Sequence, residues 1–61
     1  MYYKEQVELE KEALDKKIDT LENFLKGDVK EHNQPNLLKL QLSTMKMYSR
    51  LLGLRLSSWE D

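Results

Sequence analysis

The sequence predicts an all-α protein: a two-helix antiparallel hairpin that assembles into a compact helical homo-oligomer. Two segments, about 2–26 and about 36–58, carry apolar residues at helical spacing. A short polar connector, 27–35, separates them and contains Gly27 and Pro35 at its ends. The second segment has more apolar surface than one hairpin partner can cover. We therefore expect residues 1–61 to form a single helical-hairpin domain that self-associates.

The first predicted helix carries two apolar rows about 120° apart. One row is Tyr3, Val7, Leu14, Ile18, Leu21 and Leu25, and the other is Tyr2, Leu9, Ala13, Thr20 and Phe24. Lys17 lies inside this apolar arc, where an unpaired buried cation would cost several kcal/mol. Gly27 follows the last periodic residue, and we expect it to end the helix in the left-handed conformation.

The second predicted helix begins at Pro35 or Asn36, with Asn33 or Gln34 as its cap. Its first apolar row is Leu38, Leu42, Met45, Ser49, Leu52, Leu56 and Trp59, and a nearly opposite row is Leu40, Met47, Leu51 and Leu54. The solvated stripe is Lys39, Ser43, Lys46, Arg50 and Ser57. Gly53 costs roughly 1 kcal/mol inside a helix, so we expect it to mark the close approach of another backbone or a ligand.

Composition excludes several functional classes. The 61 residues include no cysteine and a single histidine, His32, which we expect to be a solvated loop residue. Disulfides and thiolate metal sites are therefore excluded, and we expect no cofactor. The formal charge of −1 argues against binding to DNA or RNA. No apolar run approaches about 18 residues, so we expect no membrane span. Since no catalytic motif is present, we do not expect an enzyme.

Lys17 and the N-terminal tyrosines each allow two interpretations. The Lys17 stem could pack in the core while its ammonium emerges beside Glu10 or Glu12, or the charge could serve a phosphate. Tyr2 and Tyr3 could be hydrophobic residues at the helix start, or rings that stack on a nucleobase. Tyr3 and Lys17 are 14 positions apart, about 21 Å along a helix. One dinucleotide could contact both only if the tyrosine came from a neighbouring, antiparallel subunit.

Arg55 lies on the flank between the two apolar rows of the second helix, on the same stripe as Thr44 and Tyr48. It could form an interface ion pair, for example with Glu60 or Asp61. Alternatively, its guanidinium could bind a phosphate bidentately. In a cyclic assembly, one arginine per chain near the axis would form a ring of positive charge that an oligoanion could fill.

Two runs of this sequence resemble a known family. Residues 10–25, EKEALDKKIDTLENFL, are similar to the first helix of the type 2 anti-CBASS sponges of bacteriophages. Residues 40–56, LQLSTMKMYSRLLGLRL, are similar to the second helix of those proteins. The similarity covers most of the chain except the connector.

The resemblance implies a homohexamer in the host bacterial cytoplasm that binds cyclic oligonucleotide messengers without cleaving them. It implies cyclic dinucleotide pockets between subunits, with Lys17 and either Tyr2 or Tyr3 as ligands. It further implies separate cyclic trinucleotide sites at Arg55, where we also place Thr20 and Tyr48. The alternative is a structural or adaptor hairpin that binds protein partners only, in which Lys17 and Arg55 form interface ion pairs.

Overall fold

In the computed structural model, which describes residues 3–27 and 32–60, two helices pack side by side. α1 spans Lys4–Lys26 and α2 spans Pro35–Ser57. Leu56, near the end of α2, lines one surface groove together with Glu8, near the start of α1. Leu38, near the start of α2, lines a second groove together with Phe24, near the end of α1. The helices are therefore antiparallel, and the predicted all-α hairpin is confirmed. Its assembly into a homo-oligomer stays a prediction.

The seam between the helices is formed by the row of α1 that contains Val7 and Ile18 and by the row of α2 that contains Ser49 and Leu52. Val7 and Leu52 are completely buried, and Ile18 is 8% exposed. Burying each such side chain contributes about 1.5–3 kcal/mol. The fourth buried residue of the described ranges is polar: Ser49, also 8% exposed, lies between apolar neighbours of its row. So few buried side chains leave a single chain of this size with a marginal core.

The remaining apolar rows lie on the surface of the single chain. In α2 the row of Leu40, Met47, Leu51 and Leu54 is exposed, with Met47 at 71%. In α1, Leu9 and Phe24 of the second row are exposed as well. The predicted solvated stripe, including Lys39 and Lys46, is exposed too. The expectation that one hairpin partner leaves an apolar row of the second helix uncovered is confirmed for the single chain.

The helix ends differ in detail from the sequence-based expectation. α1 begins at Lys4, two residues later than predicted, because Tyr3 is the extended N-cap and its N–H donates to Gln6 Oε1 at 3.3 Å. The left-handed ending predicted at Gly27 is wrong, since its φ is −84° and its ψ −161°. The Gly27 N–H instead donates to the Phe24 carbonyl at 3.1 Å. This bond tightens the last turn, and the chain then leaves in an extended conformation that requires no positive φ.

The ends of α2 are simpler. Pro35 is its first residue, where a missing N–H leaves no hydrogen bond unmade. Gln34 occupies the N-cap position, but its side chain forms no capping hydrogen bond. At the other end, half-buried Trp59 donates its N–H to the Leu56 carbonyl at 3.3 Å. Neither of the described helices combines the length and apolarity needed to cross a bilayer.

Candidate functional site

Two open grooves run along the hairpin, and they differ in charge. The connector groove, at the connector end, has a volume of about 550 Å³. It is lined by Lys16, Lys17, Thr20, Leu21, Phe24, His32, Leu38, Gln41 and Met45. The acidic groove, of about 450 Å³, is lined by Glu8, Lys11, Glu12, Asp15, Lys16, Asp19 and Leu56. No carboxylate is among the described residues that line the connector groove, whereas four line the acidic groove.

Lys17 is an exposed residue at the wall of the connector groove. Its predicted anion partners are engaged elsewhere, because Glu12 pairs with Lys16 at 3.5 Å and Glu10 accepts a hydrogen bond from Tyr48. Within the described residues, no carboxylate lies within ion-pair distance of the Lys17 ammonium. In the described part of the single chain, therefore, neither Glu10 nor Glu12 forms an ion pair with Lys17, and the choice between a packed stem and a phosphate ligand stays a prediction.

Thr20 lies one helical turn from Lys17 and lines the same groove. Its hydroxyl donates to the Lys16 carbonyl at 3.0 Å, which leaves the oxygen lone pairs as acceptors. The apolar floor between the helices comes from Leu21, Phe24, Leu38 and Met45. The groove thus combines cationic side chains at one wall with an apolar floor.

The expectation that His32 is a solvated loop residue is wrong, because the residue is half-buried against the end of α1. Its ring meets the Phe24 ring edge to face, with centroids 6.0 Å apart and planes at 80°. Its Nδ1 accepts a hydrogen bond from the Gln34 N–H at 3.0 Å. A lone polar residue in a connector gives no periodic signal, so sequence reasoning missed both this contact and its place in the groove.

A polar cluster crosses the helix seam beside the acidic groove. The Lys11 ammonium donates to Asp15 Oδ2 at 2.8 Å and to Ser49 Oγ at 3.2 Å. The Ser49 hydroxyl donates to Asp15 Oδ1 at 2.5 Å. The hydrogen bond from Lys11, and then that from Ser49, lowers the pKa of Asp15 below its usual 3.8. We term Lys11, Asp15 and Ser49 the seam cluster. Ser49 is the one polar member of an apolar row, and this irregularity is the feature of the sequence that could have predicted the seam cluster.

Tyr48 and Arg55 lie on α2, away from the connector groove. The Tyr48 hydroxyl donates to Glu10 Oε2 at 2.5 Å, which joins the two helices on their flank. The other oxygen of that carboxylate is buried and has no hydrogen-bond partner among the residues that the structure describes. Arg55 is half-buried in the last turn of α2, seven residues after Tyr48. Two helical turns, about 10 Å, separate the two side chains along the axis.

The single chain brings only some of the predicted site residues together. Lys17 and Thr20 share the connector groove, but Tyr3 is at the other end of α1 and is 64% exposed. Arg55 lies ten positions after Met45 of that groove, roughly 15 Å along α2. Tyr2 lies outside the described residues. A site that joins Tyr3 to Lys17, or Thr20 to Arg55, therefore needs more than one chain.

No group of residues suited to a metal ion occurs within 3–27 and 32–60. No curated protein and no solved structure matches the chain significantly. A family model, Sequestin, matches residues 1–58 of the 61. Sequestins are the phage anti-CBASS sponges that the two helical runs resemble. Because the match covers nearly the whole chain, the protein belongs to the Sequestin family of cyclic-nucleotide sponges.

Proposed function

We propose that this protein binds cyclic di- and trinucleotides in the host bacterial cytoplasm and holds them without cleaving them. Sequestration of this kind starves the nucleotide-activated CBASS effector. In this proposal the working unit is a homohexamer that binds neither DNA or RNA nor membranes. The observation that carries the proposal is the connector groove, where cations border an apolar floor and the described lining contributes no carboxylate.

The chemistry of the groove matches that of a cyclic nucleotide. Such a ligand has anionic phosphates and flat base faces that bind apolar or aromatic surfaces. Phe24, which is 49% exposed, offers an aromatic face at the floor. The acidic groove offers Glu8, Glu12, Asp15 and Asp19 instead, which would repel the same ligand.

Lys17 is the phosphate ligand in this proposal. Lys16 also borders the groove, but its ammonium is paired with Glu12. The exposed Lys17 ammonium lies in the groove wall without a carboxylate partner among the described side chains. A phosphate there gains a charge-assisted hydrogen bond without displacing an existing ion pair.

A second subunit completes the dinucleotide pocket. About 21 Å along α1 separates Tyr3 from Lys17, which is too far for one dinucleotide to contact both in a single chain. The exposed Tyr3, or Tyr2 before it, would therefore stack on a base bound in the groove of a neighbour. The exposed rows on both helices offer the apolar surface through which such neighbours would pack.

Cyclic trinucleotides would bind separately at Arg55, near the open end of the hairpin. Arg55 is roughly 15 Å along α2 from the last connector-groove residue of that helix, so the two ligand classes need not compete. Three copies of one arginine would match a ligand with three phosphates. Tyr48 lies two turns from Arg55, and Thr20 would have to come from another chain.

Thermal unfolding with and without cyclic nucleotides tests the proposal. A ligand at 100 times its Kd stabilises the native state by about 2.7 kcal/mol, which raises Tm measurably. Lys17→Ala should lose about 1.5–3 kcal/mol of dinucleotide binding, the usual value for a hydrogen bond to a charged group. Lys39→Ala is the matched control, because this lysine is exposed on the solvated stripe, outside the groove. It should leave the shift in Tm unchanged.

Arg55→Ala separates the two ligand classes. It should abolish the shift with cyclic trinucleotides and keep the shift with cyclic dinucleotides. Loss of both shifts would indicate one shared site or a damaged assembly. If wild-type protein shows no shift with any cyclic nucleotide, the adaptor that binds only protein partners becomes the better explanation.

A further inference from the structure

His32 is held in a fixed orientation at the edge of the connector groove. The edge-to-face contact with Phe24 and the hydrogen bond from the Gln34 N–H constrain its ring from two sides. Because Nδ1 accepts that hydrogen bond, the neutral ring carries its hydrogen on Nε2. Nε2 is therefore the ring nitrogen that can donate to a molecule in the groove.

The axial spacing between Lys17 and Phe24, whose ring contacts His32, suits a nucleotide. Phe24, which contacts the histidine ring, lies seven positions after Lys17 on the same helix. Two turns of helix separate the two positions by about 10.5 Å, a distance comparable with the length of a nucleotide from phosphate to base edge. A phosphate at Lys17 thus places its base near the histidine.

We propose that His32 is a specificity-determining residue of the connector groove, where its Nε2–H donates a hydrogen bond to N7 of a purine base. This inference rests on the proposed binding of cyclic dinucleotides to the groove. Both adenine and guanine present N7 as an acceptor on the exposed edge, whereas cytosine presents an amino donor there. A fixed donor therefore selects purine over cytosine without distinguishing adenine from guanine.

An atomic substitution in the ligand tests this directly. Isothermal titration of the wild-type protein should compare cyclic di-AMP with its 7-deaza analogue, in which a C–H replaces N7. A lost neutral hydrogen bond of about 0.5–1.5 kcal/mol corresponds to an affinity decrease of about two- to tenfold. The comparison uses unmodified protein, so it does not depend on how a variant folds.

His32→Phe is the informative variant, because it retains a ring against Phe24 and removes both nitrogens. It should bind cyclic di-AMP more weakly and should no longer distinguish it from the 7-deaza analogue. Lys17→Ala should weaken both ligands by the same factor, so their affinity ratio should persist.

Equal affinity of the wild-type protein for the two ligands would overturn the role of His32, and so would an unchanged ratio in His32→Phe. Failure of the wild-type protein to bind any cyclic dinucleotide is a different result. It would contradict the proposed function itself.

Discussion

Asp15 receives hydrogen bonds from both helices, from Lys11 on its own helix and from Ser49 across the seam. An exposed Lys–Asp pair four residues apart on a helix contributes only about 0.3–0.5 kcal/mol. Here Lys11 and Asp15 also provide the hydrogen-bond partners of the Ser49 hydroxyl. Without them this hydroxyl would be buried among apolar residues with no hydrogen bond, at a cost of about 1–3 kcal/mol. The seam cluster thus links an ordinary surface ion pair to the relative position of the two helices.

The lowered pKa of Asp15 makes the hairpin sensitive to acid. A carboxyl group with a lower pKa in the folded state stabilises that state above its unfolded pKa, here 3.8. This contribution is lost as the pH falls through the folded pKa. Asp15→Asn should therefore lower Tm at pH 7, and the difference from wild type should shrink below about pH 4.

Asp19→Asn is the control for this prediction, because it changes the same group at an exposed position of the same helix. Its Tm should follow the wild type across the pH range. A constant difference between Asp15→Asn and wild type from pH 7 to pH 3 would show that the carboxylate charge does not matter.

At the scale of the helices, Gly53 lets α1 and α2 approach where Lys11 crosses the seam. A Cβ added at Gly53 would lie 3.3 Å from Lys11 Cε, closer than an ordinary contact. The Lys11 ammonium is bound to Asp15 and Ser49, so its stem cannot move away without weakening those bonds. The sequence predicts that another backbone or a ligand approaches Gly53, but in the single chain the group that approaches is a side chain of the facing helix.

This contact predicts a coupling between two substitutions. Gly53→Ala should gain about 1 kcal/mol from helix propensity when Lys11 is also replaced by alanine. In the wild-type background the gain should be smaller, because the new methyl displaces Lys11. Chemical unfolding of the two single variants and the double variant measures the difference. Equal gains in stability with and without Lys11 would show that contact with Lys11 does not explain why position 53 is a glycine.

The sequence predicts the helices better than it predicts what connects them. Helical spacing identifies the row of α1 that includes Val7 and the row of α2 that includes Leu52, since burial imposes that period along each helix. The conformation of Gly27 and the burial of His32 depend on local contacts with Phe24, which leave no periodic pattern. The position of Lys17 in the apolar arc marks it as unusual in the sequence. The groove beside it could not be predicted in the same way, because residues of both helices line it.

At the scale of the whole molecule, a single chain measures 48 × 18 × 15 Å and exposes a full apolar row of α2. A soluble monomer rarely exposes a continuous apolar surface of this kind. The exposed row therefore favours association with a protein partner or with further copies of the chain, and the proposed sponge uses copies.

A charge in the exposed row should dissociate the assembly. Met47→Glu places a carboxylate where the side chain is 71% exposed in the single chain but buried in the proposed oligomer. Burial of an unpaired charge costs several kcal/mol, so sedimentation should show smaller species. Lys39→Glu, on the solvated stripe, should leave the sedimentation coefficient unchanged. A wild-type protein that sediments as a folded monomer at micromolar concentration would contradict the proposed homohexamer.

The position of Trp59 makes intrinsic fluorescence a means of locating bound ligands. It is the sole tryptophan of the chain, and it lies 21 positions after Leu38 of the connector groove. Roughly 30 Å along the α2 axis separates the two residues. Within one chain, indole emission should respond to a ligand near Arg55 and be insensitive to one in the connector groove. In the proposed assembly a neighbour's Tyr3, which lies at the same open end of the hairpin as its Trp59, reaches the connector groove. A dinucleotide that also changes the indole emission would therefore support a pocket formed between subunits, and an unchanged emission would argue against it.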